Sequence, residues 1–325
     1  MDRRIRWVCL WAALAASAGS GGCSLPLQAI RLGPKPVLLG PIGGPAADSQ
    51  PATRPVAGHD DSAWQALLLK HVAPGWNAAP DPKTGEFDSP PCPGLVEYRE
   101  ILQHPEDLNA YLAVLERTGP AGTPREFPNP VQRLAYYINA YNACAVRAAL
   151  ADYPAETAYA PTKPAFEMDW YFQVDGQRMN LHNLRQKVWG AADGDVRVLF
   201  ALCEAAIGSP PLAPHPYKAE DLHEELDAQV RMCLARPPFV VISHEHEQLQ
   251  LWWRIIRNAD AFVGWYEKLY GSRPESLLNV VMEMAPPDQR ESLNKAVGYK
   301  IVEVPFDRRL NDLVVRASAA TPRND

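Results

Sequence analysis

The stretch "NPVQRLAYYINAYNACAVRAALADYP", residues 129–154, decides how the chain folds. Asn129 can accept hydrogen bonds from a first helical turn, and Pro130 suits that turn because its missing N–H needs no partner there. Pro154 closes the run. Leu134, Tyr137, Ile138, Tyr141 and Ala145 recur at helical spacing and predict one inward stripe. Asn139 and Asn142 lie three apart on the same helix and share a face. With Tyr141 or Tyr137 they could line a polar pocket. They could equally bridge the helix to a loop by satisfying buried backbone groups.

Working outward, "SAWQALLLKHV" (62–72) repeats Trp64, Leu67, Leu68, His71 and Val72 at helical spacing. Pro105 divides "LVEYREILQHPEDLNAYLAVLERTG" (95–119) into two helical pieces, and Gly119 stops the second. Residues 74–94 read as a loop by their turn residues. "WYFQVDGQRMNL" (170–181) predicts a hairpin around Asp175-Gly176, followed by a helix in "LHNLRQKVWG". The apolar run "VRVLFAL" (196–202) reads as a strand and "YKAEDLHEELDAQVRMCLAR" (217–236) as an amphipathic helix. "FVVISHEHEQLQLWW" (239–253) predicts a second hairpin turning at 244–247. Three further helical segments and a last strand in "YKIVEVPFD" (299–307) complete the pattern. The expected fold class is α+β, a helix-rich single domain with a small antiparallel sheet.

Composition narrows the function classes. With 47% hydrophobic residues among 325, a globular core is supported. The formal net charge of -6 leaves no basic footprint for nucleic acid. Residues 24–61 are rich in Pro, Gly and Ala without apolar periodicity, and read as a tether. Ahead of them, Arg3, Arg4 and Arg6 precede the apolar "WVCLWAALAASA" (7–18) and the small-residue run ending at Cys23. That pattern resembles a bacterial lipoprotein signal, with Cys23 lipidated as the first mature residue. Ser20 stands where a lipobox usually has Leu, so an ordinary secretory signal cut near Gly22 or after Ala18 is the competing reading. The expected partner is then a membrane held through the lipid anchor. Ser24 rather than Asp after the cysteine points to the outer membrane, facing the periplasm. The expected division is signal peptide 1–22, tether 23–61, folded domain 62–317 and tail 318–325.

Together the motifs resemble the domain-of-unknown-function 547 family. Its hallmark helix, normally read Ala-Phe-Trp-Ile-Asn-x-Tyr-Asn-Ala, is similar to "LAYYINAYNACAV" (134–146) at Ile138 to Ala143. "VDGQRMNLHNL", "YKAEDLHEELDAQV" and the closing "FDRRLND" (306–312) follow in the family's order, so the resemblance extends over about residues 63–313. The family usually carries His-Phe-Ala-Leu-x-Cys-Ala-x-x-Gly-Cys-Pro-x-Leu where this chain has "LFALCEAAIGSPPL" (199–212). Aligned on Phe200-Ala201-Leu202 and Pro210, the histidine position holds Leu199 and the two cysteine positions hold Glu204 and Ser209. Cys203 falls one residue early, which on a strand would turn it to the other face. The resemblance therefore implies a remnant of a thiol-bearing site.

The candidate catalytic residues are Glu204, Cys203, Ser209 and His182; Asn139, Tyr141 and Asn142 are the candidate pocket. Cys203 needs a thiolate to act, yet no histidine lies within ten residues of it. A buried inert cysteine is the competing reading. Glu204 is either a desolvated acid or base or a structural partner of an arginine, with Arg133, Arg147 and Arg197 as candidates. His244 and His246 alternate but lie in a turn without a third ligand at recognisable spacing, so no metal and no cofactor is expected. Trp252-Trp253 and Trp265-Tyr266 fit core and rim, or an aromatic ledge for a glycan. Disulfide pairing among Cys92, Cys144, Cys203 and Cys233 is left open by spacing alone. Two functions follow: a membrane-anchored periplasmic binding or scaffold domain, non-catalytic and derived from a thiol-site fold, or a hydrolase or acyl-transfer enzyme using Glu204, Ser209 or Cys203 with a distant His.

Overall fold

Asn129 accepts from the Gln132 amide at 2.8 Å while the Gln132 side chain reaches back to the Asn129 amide, closing a capping box. The computed structural model describes residues 37–43, 58–73, 94–157 and 166–313. Its order is β1 (Val37–Leu38), α1 (Ser62–His71), α2 (Tyr98–Gln103), α3 (Glu106–Arg117) and α4 (Pro130–Ala149). Next come α5 (Phe166–Asp169), β2 (Trp170–Val174), β3 (Gln177–Asn180) and α6 (Leu181–Ala191), then a 3-10 helix over Val196–Ala201 and α7 (Leu222–Leu234). The remainder is β4 (Val240–Ser243), β5 (Gln248–Leu251), α8 (Trp253–Arg257), α9 (Ala259–Tyr270), α10 (Leu277–Met284), α11 (Pro287–Asn294) and β6 (Lys300–Glu303).

Every residue of α4 from Leu134 to Ala149 is buried, so the predicted single stripe understates its role. A helix enclosed on all sides is the axis of its core rather than a cover over it. Around it one hydrophobic cluster gathers α1 to α3, the first hairpin and α6. A second cluster joins the 3-10 segment to α7, the second hairpin and α8 to α11. The expected α+β class holds. The sheet is corrected: the described residues form two three-stranded sheets, and both are mixed. The hairpins β2–β3 and β4–β5 are antiparallel as expected, but β1 joins β2 in parallel and β6 joins β5 in parallel.

Two further expectations are corrected. "VRVLFAL" is a 3-10 helix rather than a strand: the Asp195 side chain accepts from the Arg197 amide at 3.0 Å and starts a turn. Val196 and Val198 to Ala201 are buried without alternation, and an unbroken apolar run does not distinguish the two conformations. The tether reading fails at residues 37–43 and 58–61, which are folded onto the domain. Beyond the β1–β2 pairing, the Leu39 amide donates to Tyr171 O at 2.7 Å. Arg147 Nε donates to Gly40 O at 2.9 Å, and the Ile42 amide donates to Asn109 Oδ1 at 2.8 Å. A short edge strand needs backbone partners more than apolar side chains, so composition concealed it. The signal segment, Cys23, Cys92, most of the 74–94 loop and the 318–325 tail lie outside the described residues. No helix among the described residues is long and apolar enough to cross a membrane.

Candidate functional site

The two asparagines of α4 act as clasps. Asn142 donates to Ala201 O and accepts from the Cys203 amide, both at 2.9 Å. Asn139 does the same to Tyr217, donating to its carbonyl and accepting from its amide at 2.9 Å. Each amide thus satisfies one donor and one acceptor of a passing backbone, which fits the bridging reading. Both are buried, at 1% and 2% exposure. They hold the ends of the 201–217 segment against the axis helix.

Between these clasps the chain makes a tight turn. Ala205 takes a left-handed φ of 54°, a conformation disfavoured by a side chain. The closing segment fixes that turn from outside: the Ile207 amide donates to Arg309 O and the Gly208 amide to Asp307 O, both at 2.9 Å. A Cβ on Gly208 would stand 2.6 Å from the Asp307 amide nitrogen, so only glycine permits this approach. Two motifs far apart in sequence therefore meet at the turn.

Inside it, Cys203 and Ser209 are sealed, at 3% exposure each. Ser209 Oγ donates to Ala206 O at 2.7 Å and accepts from the Glu204 amide at 3.1 Å. Cys203 Sγ lies 3.9 Å from Ser209 Oγ and receives Asn311 Nδ2 at 3.6 Å. Burial raises the Cys203 thiol to about 11, against the opposing pull of these hydrogen bonds, so it is protonated near neutral pH. Cys144, Cys203 and Cys233 are all free and buried.

Glu204, the next residue, meets a different environment. Its Oε1 accepts from Arg254 Nε at 2.8 Å and also pairs with Arg254 Nη2. The predicted partners are corrected, because each is engaged elsewhere. Arg133 holds the Phe127 and Pro128 carbonyls, Arg147 the Gly40 carbonyl, and Arg197 pairs with Asp195 and Asp227. Arg254 Nη2 also lies 3.4 Å from Glu167 Oε1, which takes Arg185 and the Tyr141 hydroxyl at 3.2 Å. Burial works against the Arg254 charge, but Glu204, Tyr141 and Glu167 outweigh it and raise its affinity for a proton. Burial, then Glu167, holds the Tyr141 phenol well above its usual range, so Tyr141 serves as a neutral donor. His182 touches this network only at its edge, 3.2 Å from Arg185.

Glu204, Glu167 and Arg254 form the floor of a cleft of about 540 Å³, with Trp253, Arg257 and Phe306 among its walls. Arg254 and Arg257 place their guanidinium carbons 4.2 and 5.2 Å from the Trp253 ring centre. Both arginines therefore stack on the Trp253 indole. Trp252 is core, at 2% exposure. Asn139, Asn142, Cys203 and Ser209 do not line this cleft.

Sequence reasoning missed Arg254 and Glu167. It also missed His59, which bridges Asp61 Oδ1 at 3.2 Å and Thr118 Oγ1 at 3.0 Å. That Asp-His-Thr order mimics a nucleophile relay, but Thr118 is 1% exposed and unreachable, so the arrangement fastens residues 58–61 to the domain. His244 and His246 hydrogen-bond Tyr299 and Ser243 instead of converging. No group of three metal-binding side chains occurs among the described residues.

Axis helix, clasped turn and acid–arginine floor define an α+β domain built to hold one short segment rigid beside a cleft. Residues 125–233 match the model of the family described as protein of unknown function, DUF547, so this part of the chain is similar to that family. The match runs from before α4 to the end of α7, so Arg254 and the closing segment lie beyond it. No curated protein and no solved structure matches the chain.

Proposed function

We propose that the protein is a membrane-anchored periplasmic binding or scaffold domain, non-catalytic and derived from a thiol-site fold. The observation that carries this reading is the Glu204–Arg254 pair: the carboxylate that follows Cys203 is neutralised by a guanidinium, with side chains 5% and 10% exposed. A general base must hold a free lone pair within reach of a nucleophile. Cys203 and Ser209 instead have each other, Asn311 and backbone groups as partners, and His182 is bonded to Arg185. The hydrolase or acyl-transfer alternative would need Ser209 or Cys203 to leave these bonds and gain a base. The anchor rests on the Arg-rich, apolar, small-residue run ending at Cys23.

A fluorophosphonate and an iodoacetamide probe test the chemistry on the folded protein. Neither is expected to label Ser209 or Cys203. Labelling of either residue that disappears in Glu204→Gln would establish a live enzyme instead. Metabolic labelling with a fatty acid tests the anchor: Cys23→Ala is expected to abolish it and release the protein from membranes. Unchanged labelling and membrane retention would leave a plain secreted protein.

A further inference from the structure

We infer that the cleft above the Glu204–Arg254 pair binds a small carboxylate carrying an apolar body, received by the Nη1 donor of Arg254 and the outer edge of Arg257. The inference rests on the binding-domain reading and names its ligand class. Arg254 and Arg257 lie three apart on α8, and both guanidinium groups sit over Trp253. Each engages a carboxylate through Nε and Nη2, Arg254 on the single oxygen Oε1 of Glu204 and Arg257 on both oxygens of Glu303, at 3.1 and 3.2 Å. Neither pairing uses Nη1. A guanidinium presents five donors in a rigid fork, so an acceptor can reach Nη1 without opening the existing pair, with Arg254 Nη2 also shared by Glu167 at 3.4 Å.

Depth distinguishes the two arginines. The Arg254 side chain is 10% exposed at the floor and the Arg257 side chain 63% exposed at the rim. The rest of the lining is mostly apolar, with Trp253, Val304, Pro305, Phe306 and Met168, and it also includes Arg308. Met168 is 47% exposed, an apolar surface at the same cleft. A volume of about 540 Å³ falls within the range of small-molecule sites. Charge then selects the head group. Glu167, Glu204 and Glu303 all line the cleft and are each already paired with arginine. A cation would compete with those built pairs. A phosphate dianion would bring a second negative charge toward three carboxylates. A monocarboxylate is planar, suits a guanidinium edge and carries a single charge.

The test uses the intact protein with 3-phenylpropionate, octanoate, their primary amides, phenyl phosphate and methyl 3-phenylpropionate. Calorimetry is expected to show one site for both acids, with the amides and phenyl phosphate weaker by roughly tenfold or more. Arg257→Gln, an exposed change, is expected to weaken the acids by about tenfold without moving the thermal midpoint. Arg254→Lys supplies the second variant: it keeps the charge against Glu204 but lacks the Nη1 donor, and it should also weaken the acids. Equal affinity for acid and amide, tighter binding of the phosphate, or unchanged affinity in Arg257→Gln overturns the inference. Ligand-observed NMR separates it from the underlying reading. Methanol released from the ester sinks the non-catalytic proposal and leaves carboxylate binding standing, whereas absent acid binding without methanol does the reverse.

Discussion

Cys203 and Glu204 are adjacent in the chain and occupy opposite surroundings. The thiol points into a neutral pocket of Ser209 and Asn311, is 3% exposed, and keeps its proton until about pH 11. The carboxylate turns to a charged cleft, shares Arg254 with Glu167, and borders solvent-accessible space. One peptide step separates a sealed structural contact from the lining of a cleft. The left-handed Ala205 that follows, and the backbone clasp of Asn142 before it, fix that division in place. Reactivity at this turn is therefore a matter of which side a residue faces, more than of which residue it is.

The contrast breaks most visibly if the charged side loses its partner. Glu204→Gln should cost about 3 kcal/mol, because it leaves the buried Arg254 charge with Glu167, at the longer contact, as its carboxylate partner. Urea denaturation measures it, and a midpoint unmoved from wild type would mean the pair is not structural. Next in size, Glu204→Cys should create a thiol beside Arg254 that alkylates about a hundredfold faster than Cys203, since a neighbouring cation favours thiolate. Mass spectrometry of the labelled site reads this out. Comparable rates would show that position 204 shares the sealed environment of 203. Ser209→Cys sharpens the same comparison: its thiol should pair with Cys203, given 3.9 Å between Sγ and Oγ, rather than with anything at position 204. On the neutral side, Asn142→Leu should destabilise by about 2 kcal/mol, because it strands the Ala201 carbonyl and Cys203 amide. An unchanged denaturation midpoint would remove the clasp from the account.

Much of this division was legible in the sequence, and the unread part has a physical cause. The axis helix announced itself through Asn129, Pro130 and its apolar spacing, and the first hairpin through Asp175-Gly176, both with left-handed φ. These signals are local. Glu204 announced the need for a cation but not its identity, because Arg254 lies fifty positions on, in an α8 helix of five residues. The three candidate arginines are all engaged by other carbonyls or aspartates. The 3-10 segment defeated periodicity because every side chain of its apolar run is buried except Arg197. The β1 strand was hidden because two residues paired through backbone carry no pattern.

The smallest effect concerns the thiol itself and depends on sign. Burial lifts Cys203 from 9.0 to about 11 in the folded protein. Below pH 9 both folded and unfolded chains hold the proton, so the burial does not alter the pH dependence of stability. Between pH 9 and 11 the unfolded chain releases its proton while the native chain keeps it. The unfolded state then binds fewer protons, and stability must fall as pH rises, by at most about 1.4 kcal/mol per pH unit for one group. Cys144 and Cys233 are also pushed up by burial and add to the same alkaline loss. Cys203→Ala should therefore lower stability by a constant amount below pH 8 and give a shallower decline between pH 9 and 11. The thiol of Glu204→Cys, beside Arg254, should add nothing to that decline, because a thiolate favoured in the folded state reverses the sign. Equal slopes for wild type and Cys203→Ala, measured by urea unfolding across that window, would mean the thiol ionises freely and that residues 203 and 204 are not divided after all.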